Sequence, residues 1–412
     1  MDLRSGHAFW LVRNGILNAF PALDGDVRCD VVVVGGGITG ALVGYHIAEA
    51  GVSTVVLDRR DIGWGSTSAS TALLQYEIDT PLVELQERFG TETAQRCYHS
   101  CRDAIYKLRE LTQRLDDHCG FSLKPSLFMA KRASDTAFMK REFAARKEAG
   151  FEIDWWSARE VKRHMKFQRP CALYSRDGAQ VDAFRLTHRL LEKAQADFGL
   201  RIFDRTEVME YKVRGRQVLV KTNRDCTIRA KHIIFATGYE FQQLSDRKLV
   251  KLHSTFAFVS EPLTAGRHLW HDNCLLWEKA DPYLYIRTTD DHRVLIGGED
   301  EDFRDPEKRD AMIAKKSATL KRKFRHLFPH IPLEPAFCWA GTFGETEDGL
   351  AYIGQIPEFP HASFALGFGG NGITYSVLAA EILRDQFLGK TNAYGDLYRF
   401  DRHGGNARAH KR

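Results

Sequence analysis

Three glycines and a carboxylate near the start of the chain have the spacing of a dinucleotide-binding motif. Gly35, Gly37 and Gly40 fit the pattern G-x-G-x-x-G, and Asp58 follows about 20 residues later. The first glycine of such a motif permits a tight turn, the second lets a pyrophosphate approach the backbone, and the third allows close helix packing. The phosphates lie at the positive end of a helix dipole, and the carboxylate accepts hydrogen bonds from the adenosine ribose. We therefore predict a dinucleotide site here.

The residues around this motif predict the strand–helix–strand unit that must position it. Val31–Val34 is a run of β-branched residues, which indicates a buried strand of a parallel sheet. An apolar helical pattern runs from Ile38 to Ala50, and a second short strand, Thr54–Leu57, ends at Asp58. The simpler interpretation is a strand–turn–helix that merely needs glycine. The complete unit, with its terminal acid, favours the nucleotide site.

A second glycine-rich turn lies at the far end of the chain, where a predicted strand again runs into a helix. One nucleotide needs one such turn, so the second indicates another ligand group. A flavin supplies it, because reduced flavin carries negative charge that backbone N–H groups and a helix N-terminus stabilise. The candidate residues of this turn, in addition to Ile38 and Thr39 of the first, are Gly369, Gly370, Asn371, Gly372, Ile373 and Thr374.

Further candidates for binding the cofactor come from segments with small or hydroxyl residues. Segment 61–71 is interpreted as a loop whose amides and hydroxyls lie along a phosphate or ring; the alternative is a flexible linker. A buried strand, Ile233–Phe235, ends in small residues and returns the chain to the central sheet beside the phosphates. The candidates from these and neighbouring segments are Arg59, Gly65, Ser66, Thr67, Ser68, Val208, Ala236, Thr237, Gly238 and Gly341.

Candidate catalytic residues lie on a strand in the middle of the chain, where short alternating runs indicate an antiparallel sheet. The period of two places Leu284 and Ile286 on one face, toward a core. It places Tyr283, Tyr285 and Arg287 on the other face. That face either lines a polar cavity or faces water, and we interpret it as a cavity.

Length, composition and charge exclude several classes of protein. The chain has 412 residues, enough for two domains, with ordinary contents of hydrophobic (43%) and charged (27%) residues. The net charge of +5 is mild, and no long basic block precedes Arg408, so we predict no nucleic-acid partner. No apolar run approaches the ~18 residues of a membrane span. Residues 1–20 lack the features of a signal peptide, so we expect a cytoplasmic protein.

The eight cysteines are scattered and indicate neither a metal site nor a disulfide framework. Cys97 and Cys101 have no second pair or histidine partner at the spacing of a zinc site. They fall on the apolar stripe of an amphipathic helix predicted within residues 81–117. We interpret them as buried, reduced thiols, and we predict no metal ligands.

In their joint order these motifs resemble the D-amino-acid oxidase (DAO) family of FAD-dependent oxidoreductases, which includes glycine oxidase, sarcosine oxidase and γ-glutamylputrescine oxidase. The resemblance covers Phe9 to about Leu388, and it is nearest to the glycine oxidase and γ-glutamylputrescine oxidase branches. Each motif is weak alone, but the order is specific. The motifs are VVVVGGGITG, GSTSAS, GAQVDAFRL, ATGY, LIGGED, ETEDGLAYIG and GFGGNGIT.

The resemblance implies an α/β fold, α+β overall, with a Rossmann-like FAD-binding domain. It also implies a discontinuous second domain built on a largely antiparallel sheet. The FAD-binding domain is expected at 1–78, 171–245 and 336–395, the substrate domain at 79–170 and 246–335, and a basic tail at 396–412.

The resemblance further implies oxidation of an amine or amino acid at the C–H bond beside nitrogen. A hydride passes to flavin N5, the imine hydrolyses, and oxygen or another acceptor re-oxidises the flavin. The glycine oxidase branch binds its substrate carboxylate with an arginine, and the matching position here is Phe343. Either Arg287 substitutes, or the substrate has no carboxylate near the nitrogen. Sarcosine oxidase relatives attach FAD through a cysteine, but Cys338 lies upstream of that place, so we expect non-covalent FAD.

Two alternatives remain open from the sequence. An NAD-dependent dehydrogenase would use the first glycine motif and leave the second glycine-rich turn unexplained. A non-catalytic flavin-binding subunit of a larger complex would use both motifs without turning over a substrate.

Overall fold

The computed structural model of the chain describes residues 2–243, 249–263, 268–303 and 305–402. The helices are α1 (Phe9–Asn14), α2 (Ile38–Glu49), α3 (Ser66–Ala69), α4 (Leu82–Phe89), α5 (Thr91–Gln113), α6 (Thr136–Glu148), α7 (Ala158–Met165), α8 (Ala183–Phe198), α9 (Pro306–Leu327) and α10 (Gly372–Phe387). Short 3₁₀ turns cover Ala133–Asp135, Gly238–Gln243, His271–Asn273 and Gly369–Asn371.

The strands, in chain order, are β1 (Arg4–Gly6), β2 (Val27–Arg28), β3 (Val31–Val34), β4 (Thr54–Leu57), β5 (Leu73–Leu74), β6 (Ser122–Ala130), β7 (Ile153–Ser157), β8 (Cys171–Gln180), β9 (Arg201–Phe203), β10 (Val208–Arg214), β11 (Gln217–Thr222), β12 (Thr227–Ala230), β13 (His232–Phe235), β14 (Lys251–Ser260), β15 (Leu275–Lys279), β16 (Leu284–Thr288), β17 (Val294–Glu301), β18 (Pro335–Glu345), β19 (Tyr352–Gln355) and β20 (Ala362–Leu366).

The chain forms two compact units, each assembled from three separate segments. Unit 1 comprises Met1–Leu17, Gly65–Leu186 and Lys251–Glu345, and unit 2 comprises Asn18–Trp64, Thr187–Val250 and Thr346–Arg412. The domain assignment made from the sequence stays a prediction. Its FAD-binding segments share residues 18–64, 187–245 and 346–395 with unit 2. The predicted basic tail lies mostly beyond residue 402, outside the described residues.

Unit 2 is built on a six-stranded sheet of order β19-β20-β13-β3-β4-β9. The strands from β20 to β9 are mutually parallel, and β19 is an antiparallel edge strand. Residues Val31, Val32 and Val33 are fully buried, as expected for a parallel strand covered on both faces. The predicted βαβ unit is confirmed as β3, α2 and β4. A smaller sheet of order β10-β11-β12-β2 packs its apolar side chains against the central sheet.

Unit 1 is built on a ten-stranded sheet of order β1-β18-β14-β17-β16-β15-β6-β8-β5, with β7 paired to β8. Its pairings are antiparallel except for β15 with β6, which confirms the largely antiparallel sheet expected from the sequence. Helix α9 packs against β14, β17 and β18. Leu284 and Ile286 of β16 lie in the same core as Leu320 and Phe324 of α9. The predicted alternation is therefore correct, and the opposite face of β16 carries the polar residues.

A buried ion network fixes the segment between β5 and α5 in unit 1. Arg146 donates from Nε to Glu142 at 2.7 Å and from Nη1 to Glu77 at 3.3 Å, and all three side chains are at most 1% exposed. Glu142 also accepts the backbone N–H groups of Leu82 and Val83 at the start of α4, at 3.0 and 3.1 Å. One carboxylate thus satisfies a buried guanidinium and two helix-terminal donors.

We expect Glu142→Ala to lower the free energy of unfolding by about 3–5 kcal/mol, because it leaves the buried Arg146 with one carboxylate fewer and two N–H groups unsatisfied. Urea denaturation followed by tryptophan fluorescence measures the loss. Glu87→Ala is the matched control, since Glu87 pairs with Arg141 and is 66% exposed on the surface. Equal stability of the two variants would contradict the structural role of this network.

Candidate functional site

The glycine turn after β3 has a geometry that only glycine fits at two positions. Gly35 has φ of +112°, and a Cβ atom there would lie 2.4 Å from the carbonyl oxygen of Ala236. A Cβ atom on Gly40 would lie 1.7 Å from the carbonyl oxygen of Gly35. Gly37 is the N-cap of α2 and has no side chain with which to cap that helix. The turn therefore presents backbone at the start of α2, which is the feature that phosphate binding requires.

Asp58, which directly follows β4, is hydrogen-bonded to this turn. Its Oδ2 accepts the N–H of Gly36 at 2.7 Å, and its Oδ1 accepts the N–H of Arg60 at 2.7 Å. Burial raises the pKa of Asp58 to about 6, against the lowering effect of these two hydrogen bonds. Each carboxylate oxygen retains a second lone pair, so Asp58 can still accept a hydroxyl such as that of a ribose.

The two glycine-rich turns, far apart in sequence, come together within unit 2. Thr39 in the first turn of α2 is 2.8 Å from Ser376 in α10, measured between the hydroxyl oxygens, although the residues are 337 positions apart. Ser376 also donates to the carbonyl of Gly372 at 2.6 Å. Helices α2 and α10 pack on each other. Two helix N-termini therefore lie side by side.

The remaining residues of the second turn are mostly buried at the start of α10. Gly369 has φ of +53°, and a 3₁₀ turn, Gly369–Asn371, leads directly into the helix. The buried residues are Gly369, Asn371, Ile373 and Thr374, whereas Gly370 is exposed. The structure thus brings this whole set to the N-terminus of α10.

The end of β13 adds a hydroxyl group to this part of unit 2. The N–H of Ala236 donates to the carbonyl of Val34 at 2.8 Å, which holds the strand end against β3. The next residue, Thr237, has a buried Oγ1 without a hydrogen-bond partner among the described residues. Gly238 then turns with φ of +55°. An unsatisfied buried hydroxyl at the carboxyl end of a parallel strand is where a bound ligand is expected.

Arg59 and Val208 lie elsewhere in unit 2. Arg59 pairs with Glu207 at 3.3 Å and with Glu240, and Arg60 also pairs with Glu240, at 2.7 Å. The charge of Arg59 is therefore satisfied by protein carboxylates. Val208 is half-buried at a bulged position at the start of β10. The role of both residues in binding a cofactor stays a prediction.

Gly65–Ser68 and Gly341 belong to unit 1. The segment interpreted as a loop contains the one-turn helix α3, in which Ser68 donates to the carbonyl of Gly65 at 2.9 Å. The Oγ of Ser66 is buried without a hydrogen-bond partner among the described residues, and Thr67 is buried. A Cβ atom on Gly341 would lie 3.7 Å from the Cβ of Ala69, so β18 and α3 approach closely there.

The predicted catalytic tyrosines lie together on the face of the unit 1 sheet opposite α9. The rings of Tyr283 and Tyr285 have centroids 5.5 Å apart. A Cβ atom on Gly297 would lie 2.3 Å from the Tyr285 ring, so this ring occupies the space that glycine leaves. The Tyr285 hydroxyl is 3.5 Å from Thr255 Oγ1. Burial raises the pKa of both tyrosines, which keeps the phenols neutral.

Phe343 stands on β18 directly opposite His253 of β14, with ring centroids 5.4 Å apart. Its neighbour across the sheet is thus an imidazole, and its own side chain offers no hydrogen-bond donor. The resemblance aligns this position with the carboxylate-binding arginine of the glycine oxidase branch, and that alignment stays a prediction. The role of Phe343 beside the substrate stays a prediction.

Arg287 lies on the same side of β16 as the tyrosines but is fully occupied by protein groups. Its Nε donates to the carbonyl of Thr71 at 2.7 Å, and its Nη2 donates to the carbonyl of Val181 at 3.1 Å. The guanidinium lies 5.2 Å from the ring centre of Trp10, and it is 2% exposed. Burial lowers its pKa to about 10. These contacts support a structural role, and carboxylate binding by Arg287 stays a prediction.

Sequence reasoning did not select Asp300 and Thr255, which adjoin the tyrosines in the structure. The pairing of β14 with β17 brings Thr255 opposite the bulged residues Glu299 and Asp300, and the charge of Asp300 acts on both phenols. The available signal was the LIGGED motif, in which two glycines precede two acids. Glycine in a strand often marks a bulge that re-aims the next side chain.

The cysteines of α5 are part of the core of unit 1. Cys97 and Cys101 are fully buried on α5, as predicted. Within the described ranges, no cluster of three or more His, Cys, Asp or Glu side chains has the arrangement needed to bind a metal ion. In the same ranges no helix combines the length and the apolar character of a membrane span.

Comparisons with known proteins place this geometry in a family. Residues 30–386 match the family described as FAD dependent oxidoreductase (DAO). The chain is 26% identical to glycine oxidase of Bacillus licheniformis over 383 residues, which cover 88% of this chain and 94% of that protein. It is 23% identical to γ-glutamylputrescine oxidoreductase of Escherichia coli over 396 residues, 93% of this chain and 87% of that protein.

A solved structure of glycine oxidase from Geobacillus kaustophilus superposes with a TM-score of 0.74 at 23% identity, covering 89% of this chain and 96% of that chain. At this level of identity the likeness establishes the fold alone. The family match covers most of the chain, however, and includes both glycine-rich turns. FAD, rather than NAD, is therefore the cofactor of this enzyme, and the chain belongs to the DAO family of FAD-dependent oxidoreductases.

Proposed function

We propose that the chain oxidises the C–N bond of an amine or amino acid, with FAD bound non-covalently. The observation that carries this proposal is the pairing of two helix N-termini in unit 2, since the family's cofactor has two groups that such ends bind, an anionic pyrophosphate and an electron-rich flavin edge. The names of the relatives support the substrate class. Glycine is the substrate named for one, and γ-glutamylputrescine is the substrate named for another.

The residues of unit 2 fit the cofactor. The Gly35–Gly40 turn would receive the pyrophosphate, Asp58 the ribose, and the turn at Gly369–Thr374 the electron-rich edge of the flavin. The unsatisfied hydroxyl of Thr237 supports this assignment, because a buried polar atom without a partner calls for a bound group. When bound, FAD supplies the hydride acceptor for the oxidation.

The residues of unit 1 favour a particular class of substrate. Phe343 stands where the glycine oxidase branch has its arginine, and the donors of Arg287 are used by the carbonyls of Thr71 and Val181. A bidentate clamp for a carboxylate beside the nitrogen is therefore missing at both proposed positions. We propose an amine without an adjacent carboxylate, held against the aromatic surface of Tyr283 and Tyr285. Oxygen or another acceptor completes the cycle.

The proposal predicts a yellow protein whose flavin is bleached by its substrate without air. A panel of mono- and diamines, N-methylated amines, glycine, sarcosine and D-alanine is mixed anaerobically with the purified enzyme, and flavin absorbance is followed. We expect amines to bleach the flavin faster than α-amino acids. Peroxide release on admitting air then distinguishes oxygen from another acceptor.

A flavin that no member of the panel reduces, but that dithionite does reduce, would favour the non-catalytic flavin-binding subunit. Faster reduction by glycine or D-alanine than by any amine would contradict the proposed substrate class. It would return Arg287 to consideration as the group that binds the carboxylate.

Asp58→Ala should weaken FAD binding, because it removes the acceptor for the ribose hydroxyls and loosens the Gly36 turn. A hydrogen bond to a charged group contributes roughly 1.5–3 kcal/mol, so we expect a Kd about 10- to 100-fold higher. Equilibrium titration of the apoprotein with FAD gives the value. Asp24→Ala, a change of the same kind at an exposed residue of unit 2, should leave the Kd as in the wild type. An unaltered Kd in Asp58→Ala would remove Asp58 from the site.

FAD binding should also depend on pH through Asp58. Its pKa in the ligand-free protein is raised to about 6, and hydroxyl donors prefer the ionised carboxylate. The carboxylate form is complete well above pH 6 and is lost as the pH falls through 6, so affinity should fall between pH 7.5 and 5. The same titration over this range is the test, and Asp58→Ala should lose the dependence. A wild-type Kd for FAD that does not change between pH 7.5 and 5 would contradict this prediction.

A further inference from the structure

A bulge in β17 places Asp300 apart from its two acidic neighbours. Ser254 of β14 pairs with Glu301, and Phe256 pairs with Gly298, so β17 has one residue more than its partner. Gly298 and Glu299 have positive φ values, +129° and +61°. A bulge of this kind bends the strand and redirects a side chain.

The neighbours of Asp300 pair with helix α9. Glu299 contacts Lys323 at 2.5 Å and Lys316 at 3.5 Å, and Glu301 contacts Lys316 at 2.6 Å. Asp300, between them, lies at the bulge opposite Thr255, whose hydroxyl is 3.5 Å from that of Tyr285. Asp300 therefore lies with the tyrosines, outside the ion pairs that Glu299 and Glu301 form with the lysines of α9.

Among the described residues, negative charges outweigh positive ones around Asp300. Its Oδ1 is buried and has no hydrogen-bond partner among the described residues. Burial and the negative charges of Glu345 and Asp79 disfavour the ionised form of Asp300. The positive charge of Lys316 offsets these effects only in part. A buried carboxylate oxygen with no donor is costly, and such an atom in a native protein calls for a functional explanation.

We infer that Asp300 Oδ1 binds the ammonium group of the substrate and accepts one of its protons. This inference rests on the proposed function, because it assigns a residue to the amine of that reaction. An ammonium group supplies both things that the position lacks, a hydrogen-bond donor and a positive charge. The phenols of Tyr283 and Tyr285 provide the aromatic surface on which a cation also binds well.

The proton transfer balances without another reactant. One N–H bond of R–NH₃⁺ breaks, its electron pair stays on nitrogen, and an O–H bond forms on the carboxylate, giving R–NH₂ and neutral Asp300. The amine then has the lone pair that assists removal of a hydride from the adjacent carbon. Burial and the neighbouring carboxylates raise the pKa of Asp300 to about 7, so the group can take up a proton near neutral pH.

The pH dependence belongs to a small set of groups around Asp300. His253 contributes to this set, because its Nε2 is 3.7 Å from Glu345 and its Nδ1 is 2.9 Å from Asp302. Both tyrosines remain neutral in the working range, since their pKa values are raised. The titratable or charged groups facing this position are Asp79 after β5, His253 on β14, Tyr283 and Tyr285 on β16, Lys316 on α9 and Glu345 on β18.

The test compares Asp300→Asn with Asp154→Asn, the same change on β7 at a side chain that is 48% exposed. The rate of anaerobic flavin reduction is measured against amine concentration from pH 5.5 to 9. For the wild type we expect the second-order rate to fall as the pH drops through about 7, where Asp300 becomes protonated. Asp300→Asn should lower the rate about 10- to 100-fold at pH 8 and abolish this dependence, with flavin content unchanged.

Folding and binding are checked separately. Because the charged form of Asp300 is disfavoured by burial, the variant should melt at the same or a higher temperature at pH 8, so that slow reduction is not due to unfolding. Benzamidine is a cation without an oxidisable C–H beside nitrogen, and it probes binding alone. It should raise the melting temperature of the wild type and of Asp154→Asn, but not of Asp300→Asn.

Wild-type kinetics and benzamidine binding in Asp300→Asn would overturn the inference while leaving the proposed amine oxidation intact. If no amine reduces the wild-type flavin, the proposed function fails. The benzamidine experiment then still decides whether Asp300 binds a cation, because it requires no turnover.

Discussion

The packing of α2 against α10 is the constraint on which the nucleotide-binding part of the molecule depends. Each helix begins at a glycine-rich turn, and the hydroxyl contact between Thr39 and Ser376 holds the two beginnings together. A helix N-terminus carries partial positive charge and unsatisfied N–H groups. Placing two of them side by side is unfavourable unless an electron-rich ligand lies over them. The arrangement therefore makes physical sense as a site for one extended cofactor that carries both an anionic pyrophosphate and an electron-rich ring edge.

Much of the fold of unit 2 was predictable because its signals are local. Val31–Val34, the glycine spacing and the acid after β4 lie within a short stretch, and each has a known physical role in a βαβ unit. The second turn was also visible, since glycines before an apolar helical pattern need no knowledge of distant partners. In the same way the alternation in β16 correctly separated Leu284 and Ile286 from the tyrosines.

The parts that sequence reasoning missed depend on distant pairing. Arg287 was interpreted as facing a polar cavity, but it donates to the carbonyls of Thr71 and Val181. The sequence does not indicate which backbone carbonyls a side chain will contact. The segment after Asp58 was interpreted as a loop, although it contains the short helix α3. Asp300 stands out only once β17 is aligned with β14, because the bulge in that pairing separates it from Glu299 and Glu301, which pair with the lysines of α9.

The interleaving of the two units has a consequence for how the protein is made. In unit 1, β1 near the start of the chain pairs with β18, which is synthesised much later. In unit 2, β13 has β20 as its outer neighbour and α2 has α10, and both partners follow residue 346. During translation β13 therefore presents an unpaired edge, the kind of surface on which nascent chains associate wrongly. Because the proposed cofactor site includes the N-terminus of α10, this site is complete only after α10 has left the ribosome.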